Sequence, residues 1–137
     1  MNLLKCHIEN FGKFSNFDYE FIDGLNVINQ PNGYGKTTFA SFIKAMFYGL
    51  ESTAKRTTAL TDRKTYYPWQ GGMYGGNIEF ETKGKRYRIE RFFGLKEQED
   101  TFKISFIFIS IFWPGTYVLL SYASLLILNI SSPIFSV

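Results

Sequence analysis

The chain has 137 residues, which is room for one domain or for a piece of a larger one. A net charge of +3 is too small to indicate nucleic acid binding by itself, and the single cysteine, Cys6, excludes an internal disulfide. Because the first residues also lack the long apolar core of a signal peptide, we expect a cytoplasmic protein. The 15 basic and 12 acidic residues all lie within positions 1–103, so residues 104–137 form an uncharged segment of different character.

Two strands are predicted ahead of the first helix. Polar and apolar side chains alternate in residues 3–9 and again in residues 17–21, and residues 10–14 form a turn between them. Cys6 and His7 are assigned to the first strand rather than to a metal site, because the chain has no other cysteine or histidine. The apolar run 25–28 is predicted to be a third, buried strand.

Residues 29–38 follow this run with the sequence Asn-Gln-Pro-Asn-Gly-Tyr-Gly-Lys-Thr-Thr, which is typical of a phosphate-binding loop. A strand, a glycine-bearing loop and a helix in immediate succession are the context that such a loop requires. The pattern G-x-x-x-x-G-K-[ST] has glycine where this chain has Gln30, although the next three residues, Pro-Asn-Gly, can still form a tight turn. The alternative is a Gly-Lys-Thr sequence that only caps a helix.

The residue types in this loop suit the binding of a phosphate chain. Gly33 and Gly35 allow positive φ angles, so that backbone amides can curl inward around an anion. Lys36 would reach the β- and γ-phosphates, and the Thr37 hydroxyl would complete the coordination of Mg²⁺. Thr38 would lie in the first helical turn, where it would bond an α-phosphate or cap the helix.

The helix after the loop is predicted to run from about Thr37 to a C-terminal cap at Gly49, because apolar residues recur at the spacing of one helical face. Residues 50–76 show no sustained period and mix basic with aromatic side chains. Such a segment can contact a nucleotide or a nucleic acid, or it can be a solvated loop with an aromatic plug against the domain. Both interpretations are open.

Residues 77–81 and 85–91 alternate and are predicted to form a β-hairpin. One face would be apolar and the other charged. The charged face is expected to carry cross-strand ion pairs, with contact to a DNA backbone as the alternative.

The uncharged tail contains two apolar runs, residues 104–113 and 117–130, separated by Pro114-Gly115. It could cross a membrane, although the Pro-Gly pair falls mid-span and no basic residue flanks the far end. It could also form buried strands of the same sheet. We favour a third interpretation, a tail that is not native to this domain, because an out-of-frame reading of an AT-rich gene yields Phe, Ile, Leu, Ser and Tyr without charge.

The flanks of the phosphate loop resemble the N-terminal half of an SMC/SbcC/RecF-type ATPase head, an AAA/ABC-class P-loop ATPase of the YhaN-like kind. The resemblance covers residues 1 to about 102 and is carried by the 10–14 turn and by residues 24–28, 31–38, 46–50, 75–80 and 87–91. It implies an α/β P-loop NTPase fold with a mixed sheet, a P-loop helix and a following β-hairpin. The predicted units are therefore an N-terminal lobe, residues 1–102, and the tail, residues 103–137.

The resemblance also implies ATP and Mg²⁺ as cofactors. The residues expected to hold the triphosphate are Asn32, Gly33, Tyr34, Gly35, Lys36, Thr37 and Thr38, with Thr37 also on the metal ion. Lys55 and Arg56 fall where such heads carry an arginine-bearing loop near the nucleotide. In this family two heads sandwich ATP, a C-terminal half-head completes each one, and the full-length protein acts on DNA.

Two motifs of the family are missing from this sequence. It contains no Walker B run of four apolar residues ending in Asp-Glu and no Ser-Gly-Gly signature. We therefore expect an ATP-binding part of a DNA-repair or DNA-end-processing ATPase that does not hydrolyse ATP efficiently alone. The alternatives are a self-contained small P-loop protein, with Asp62 or Asp100 as loose candidates for an acidic metal ligand, and a membrane-anchored accessory protein.

Overall fold

The computed structural model describes residues 1–51 and 61–107 of the chain. Within these ranges the elements are β1 (Asn2–Phe11), β2 (Phe14–Glu20), α1 (Lys36–Tyr48), α2 (Asp62–Thr65), β3 (Gly75–Thr82), β4 (Lys85–Phe92), a short 3-10 helix (Glu97–Glu99) and β5 (Thr101–Ile107). The strands form one sheet in the order β2-β1-β3-β4-β5. Each neighbouring pair is antiparallel.

The alternation in the sequence separates two faces of this sheet. On the inner face Ile8 of β1 and Ile78 of β3 are fully buried, and Ile78 pairs with Ile89 of β4. Helix α1 covers this face with Phe39, Phe42, Ala45 and Met46, which recur at helical spacing. The ring of Phe42 meets that of Phe11 edge to face at 5.4 Å between centroids. Burial of each such side chain stabilises the fold by about 1.5–3 kcal/mol.

The outer face of the sheet carries ion pairs. The carboxylate of Glu79 lies between Lys5 of β1, at 3.5 Å, and Arg88 of β4, at 3.7 Å. Arg86 pairs with Glu81 at 3.1 Å. Arg86 and Arg88, the arginines on the outer face of the hairpin, are therefore partnered by carboxylates. This is the arrangement predicted for a solvated face, and it gives no support to a DNA contact there.

Cys6 and His7 point to opposite faces of β1 and cannot share a metal ion. Burial raises the pKa of the Cys6 thiol to about 12. On the outer face His7 Nδ1 lies 2.8 Å from Asp18, and Nε2 lies 3.2 Å from Glu9. The hydrogen bond to Asp18 raises the pKa of His7 above its ordinary value of 6.5. This contact therefore stabilises the fold most below that value, and its contribution is lost as the pH rises through the raised pKa.

The predicted third strand at residues 25–28 is not formed. Residues 21–35 are irregular, and the side chains of Leu25 and Val27 are 82 % and 70 % exposed. Asn26 instead closes a local loop, accepting from Ile22 N at 2.8 Å and donating to Ile22 O at 2.9 Å. A strand needs neighbouring backbone for its N–H and C=O groups, and no described strand is hydrogen-bonded to this segment. Because residues 25–28 add no strand, every neighbouring pair in the described sheet is antiparallel. The prediction of a mixed sheet is therefore wrong for the described residues.

The uncharged tail begins inside the sheet. Strand β5 (Thr101–Ile107) spans the predicted boundary at residues 102 and 103, and its residues 104–107 are the first four of the uncharged segment. The alternative of buried strands is met only in part, because these residues join the sheet but Ile104 and Phe106 are 47 % and 45 % exposed on an edge strand. Residues 108–137, on which the three interpretations of the tail mainly rest, lie outside the described residues. No helix in the described ranges has the length and apolar character needed to cross a membrane.

Candidate functional site

The loop ahead of α1 has the backbone that the glycine pattern predicts. Gly33 and Gly35 have φ angles of 85° and 112°, and Tyr34 N donates to Pro31 O at 3.2 Å. A Cβ atom at Gly35 would lie 2.8 Å from the ring of Phe14, so that both the space and the φ angle require glycine there. Gly35 is the N-cap of α1, and no described side chain caps this end. The unpaired N–H groups and the positive end of the helix dipole are thus available to an anion.

Two lysine side chains converge on this loop. Lys36 Nζ donates to the carbonyl oxygen of Gln30 at 2.8 Å, and Lys13 Nζ donates to that of Gly33. Because a phosphate oxygen carries negative charge, it is a stronger acceptor for an ammonium group than a neutral carbonyl oxygen. Both cations are close enough to the loop to serve a bound phosphate chain.

Lys13 was not among the predicted site residues. It lies in the turn between β1 and β2, which the sequence marks only as a turn, and a single lysine there matches no local motif. Its position depends on long-range packing: a Cβ atom at the neighbouring Gly12 would lie 2.9 Å from the Thr38 side chain. The tertiary structure alone therefore brings this cation to the loop.

The segment after α2 holds the same turn from its other side. Tyr66 O accepts from Gly12 N at 2.7 Å, and the Tyr66 hydroxyl accepts from Ser41 Oγ at 2.8 Å. The Tyr66 ring stacks on Phe11, which matches the predicted aromatic plug. Trp69, three residues later, is 80 % exposed. The segment thus combines a plug with a side chain that faces solvent.

A cavity of about 230 Å³ lies between the loop, β2 and α1. Its walls include Phe17, Tyr19 and Phe39, together with Lys36 of the loop and the exposed Val27. The cavity is largely aromatic, and it adjoins the segment that was predicted to be a buried strand. The described residues thus leave this side of the site uncovered.

The predicted triphosphate ligands are consecutive in the chain, and most of them are exposed. Asn32, Gly33, Tyr34, Lys36 and Thr37 are exposed, whereas Gly35 and Thr38 are half-buried in the loop and the first helical turn. A single hydroxyl from Thr37 suits Mg²⁺, which keeps several waters and takes its other ligands from phosphate oxygens. Lys55 and Arg56 lie outside the described residues.

The two aspartates proposed as acidic metal ligands are not placed for that role. Asp100 accepts two hydrogen bonds from the Arg63 guanidinium, at 2.6 and 2.8 Å, and one from Gly94 N at 3.0 Å. The hydrogen bond to Asp100 also raises the pKa of Arg63. Asp62 is the first residue of α2. Across residues 1–51 and 61–107 no group of three or more His, Cys, Asp or Glu side chains could hold a metal ion.

Comparison with known proteins identifies the family. The AAA domain family matches residues 5–116, which extends into the uncharged tail. The chain is also similar to the uncharacterized protein YhaN of Bacillus subtilis (strain 168), with 38 % identity over 82 residues that cover 59 % of this chain and 8 % of YhaN. The chain therefore belongs to the AAA domain family, as an ATPase-type nucleotide-binding domain with the predicted relationship to AAA/SMC-type, YhaN-like ATPases.

Proposed function

We propose that this chain is the ATP-binding part of an SMC/SbcC-like ATPase head and that residues 32–38 hold the triphosphate. The observation that carries the proposal is the loop itself. Two glycines with positive φ lead into a helix whose N-terminus has no side-chain cap among the described residues, and Lys36 lies over the loop. Backbone donors, a helix dipole and a mobile cation together favour a chain of phosphates over other ligands.

Each residue has a distinct part in this site. When a nucleotide binds, Lys36 Nζ leaves the carbonyl oxygen of Gln30 and donates to the β- and γ-phosphates. Lys13 Nζ likewise leaves the carbonyl oxygen of Gly33 and donates to a phosphate oxygen. Thr37 would be the protein ligand of Mg²⁺, which would supply positive charge to the bound phosphates. Thr38 donates its hydroxyl to the α-phosphate. Asn32 contributes its backbone N–H group, and Tyr34 N donates to a phosphate oxygen in place of the Pro31 carbonyl oxygen.

The exposed segment 25–28 supports the proposal that a C-terminal half-head completes the site. Leu25 and Val27 present exposed apolar side chains, and Val27 also lines the aromatic cavity. No described strand is hydrogen-bonded to their backbone. A complementary half would cover this surface and would bring the acidic residue that polarises the attacking water. Nucleotide binding without efficient hydrolysis follows for this chain alone, and a second head would sandwich the same ATP.

The roles of Lys55 and Arg56 near the nucleotide, and of the complete protein in DNA repair or DNA-end processing, rest on the resemblance to SMC/SbcC-type heads. A self-contained P-loop enzyme is less favoured, because Asp100 is held by Arg63. A membrane-anchored accessory protein would depend on residues 108–137, and a requirement for detergent to keep the chain in solution would point to it.

The test compares Lys36→Ala with Lys44→Ala in the full chain. Both are exposed lysines of α1, but Lys44 is more than two helical turns from the loop and lies 3.9 Å from Glu51. Loss of a charge-assisted hydrogen bond costs about 1.5–3 kcal/mol, so Mg-ATP affinity in calorimetry should fall about 10- to 150-fold in Lys36→Ala. It should be unchanged in Lys44→Ala.

Two outcomes contradict the proposal. Equal ATP affinity of the two variants would mean that the loop does not hold the phosphates. Turnover at about 1 s⁻¹ or faster by the chain alone would mean that a water-activating acid is already present. Circular dichroism of both variants checks that the fold is retained.

A further inference from the structure

The side chain of Trp69 is exposed although its backbone is fixed. Its indole is 80 % exposed, whereas the preceding Pro68 is fully buried. Trp69 N donates to Gly12 O at 3.4 Å. Nε2 of the following Gln70 side chain donates to Asn10 Oδ1 at 2.8 Å and to Phe14 O at 3.2 Å. The surrounding contacts thus present a large, flat aromatic surface to solvent from an anchored loop.

The backbone of Trp69 is joined to the phosphate loop through a single turn. Gly12, which accepts the hydrogen bond from Trp69, packs against Thr38 in the first turn of α1. Its neighbour Lys13 bonds the carbonyl oxygen of Gly33 in the phosphate loop. A nucleotide whose phosphates occupy the loop must direct its nucleoside across the neighbouring surface, and the Trp69 loop is part of that surface.

We propose that Trp69 is the stacking platform for the base of the bound nucleotide. The inference deepens the proposed function and rests on it. Removing the face of an exposed indole from water is favourable in free energy. Base–aromatic stacking also requires no hydrogen bonds to the base edge. Because every base has a π-face, the platform should accept adenine and guanine with similar affinity.

Other exposed aromatic side chains are less well placed. Tyr48 is 84 % exposed, but it ends α1, which places it about 20 Å from the loop at a rise of 1.5 Å per residue. Tyr67 is 44 % exposed and its ring contacts that of Tyr74 at 5.8 Å between centroids. Tyr34 is 37 % exposed, and its ring lies edge to face on Phe14 at 6.4 Å between centroids, where it lines the aromatic cavity. Tyr48 is therefore a control and Trp69 the candidate.

The experiment measures the binding of Mg-ATP and of Mg-tripolyphosphate, which has no base, to the full chain by calorimetry. Trp69→Ala should weaken Mg-ATP binding about 5- to 150-fold, the range for loss of one stacking contact. It should leave tripolyphosphate binding unchanged. Tyr48→Ala should leave both unchanged, and Trp69→Phe should restore most of the ATP affinity because a ring is retained.

Fluorescence gives a direct readout of the same contact. In a Trp113→Phe background Trp69 is the only tryptophan of the chain. Mg-ATP should quench its emission, and tripolyphosphate should not. The inference is overturned if Trp69→Ala binds ATP as the parent does, or if it loses ATP and tripolyphosphate equally, since the loop would then only position the phosphate site. A parent chain that binds neither ligand would instead refute the proposed phosphate site.

Discussion

Two apolar regions of the domain have similar residue types and opposite environments. Under α1, Phe42, Met46 and Ile8 are fully buried between the helix and the sheet. In the segment before the phosphate loop, Leu25 and Val27 are 82 % and 70 % exposed. The difference lies in the neighbours that the described chain supplies. An apolar pattern shows that a segment can be buried, but it does not show what will bury it.

The two kinds of element differ in what they require. A helix satisfies its own backbone hydrogen bonds, so α1 needs only one apolar surface, which β1 and β3 provide. A strand needs backbone partners as well as an apolar neighbour. The 25–28 run has no backbone partner in a described strand, although Ile28 packs partly against the core, and Asn26 supplies local hydrogen bonds instead.

Of the substitutions that test this comparison, Phe42→Ala should lower the unfolding free energy most. Removing a fully buried aromatic ring leaves a cavity between α1 and the sheet, which costs about 3–5 kcal/mol of unfolding free energy. Urea denaturation of the full chain measures it. A loss of less than about 1 kcal/mol would mean that the helix does not pack on the sheet as described.

A second large effect should come from Asp100→Ala. The Arg63 side chain is 6 % exposed and would keep its charge without its carboxylate partner, while Gly94 N would lose its acceptor. The expected loss is about 3 kcal/mol, the lower end for breaking a buried ion pair. The exposed Asp23→Ala is the control and should change stability by less than about 0.5 kcal/mol. Equal losses in the two variants would contradict a specific role for the pair.

Leu25→Ser combined with Val27→Ser should change the unfolding free energy of the chain alone least. Because both side chains are mostly exposed, the unfolding free energy of the chain alone should change by less than about 0.5 kcal/mol per site. In a longer protein that contains the complementary half-head, the same pair should destabilise the assembled head clearly. If the chain alone were strongly destabilised in urea denaturation, the segment would already be buried within it.

Much of the local structure could be predicted from residue order. Alternation identified β1, β2 and the β3–β4 hairpin, helical spacing identified α1, and the two glycines marked the loop at its start. These features depend on periods and turn residues that act over a few positions. The family was predicted in the same way, from the loop and its flanks, and is confirmed.

The contacts that complete the site were decided by the tertiary structure. Lys13 reaches Gly33 and the backbone of Trp69 bonds Gly12 only because sheet and helix pack together, across separations of 20 and 57 positions that no local period records. Arg63 likewise finds Asp100 only after the sheet has formed. The 25–28 run shows the converse: the sequence by itself determined its strand-forming character, while the availability of a neighbouring strand decided its conformation, because backbone hydrogen bonds need a partner in space.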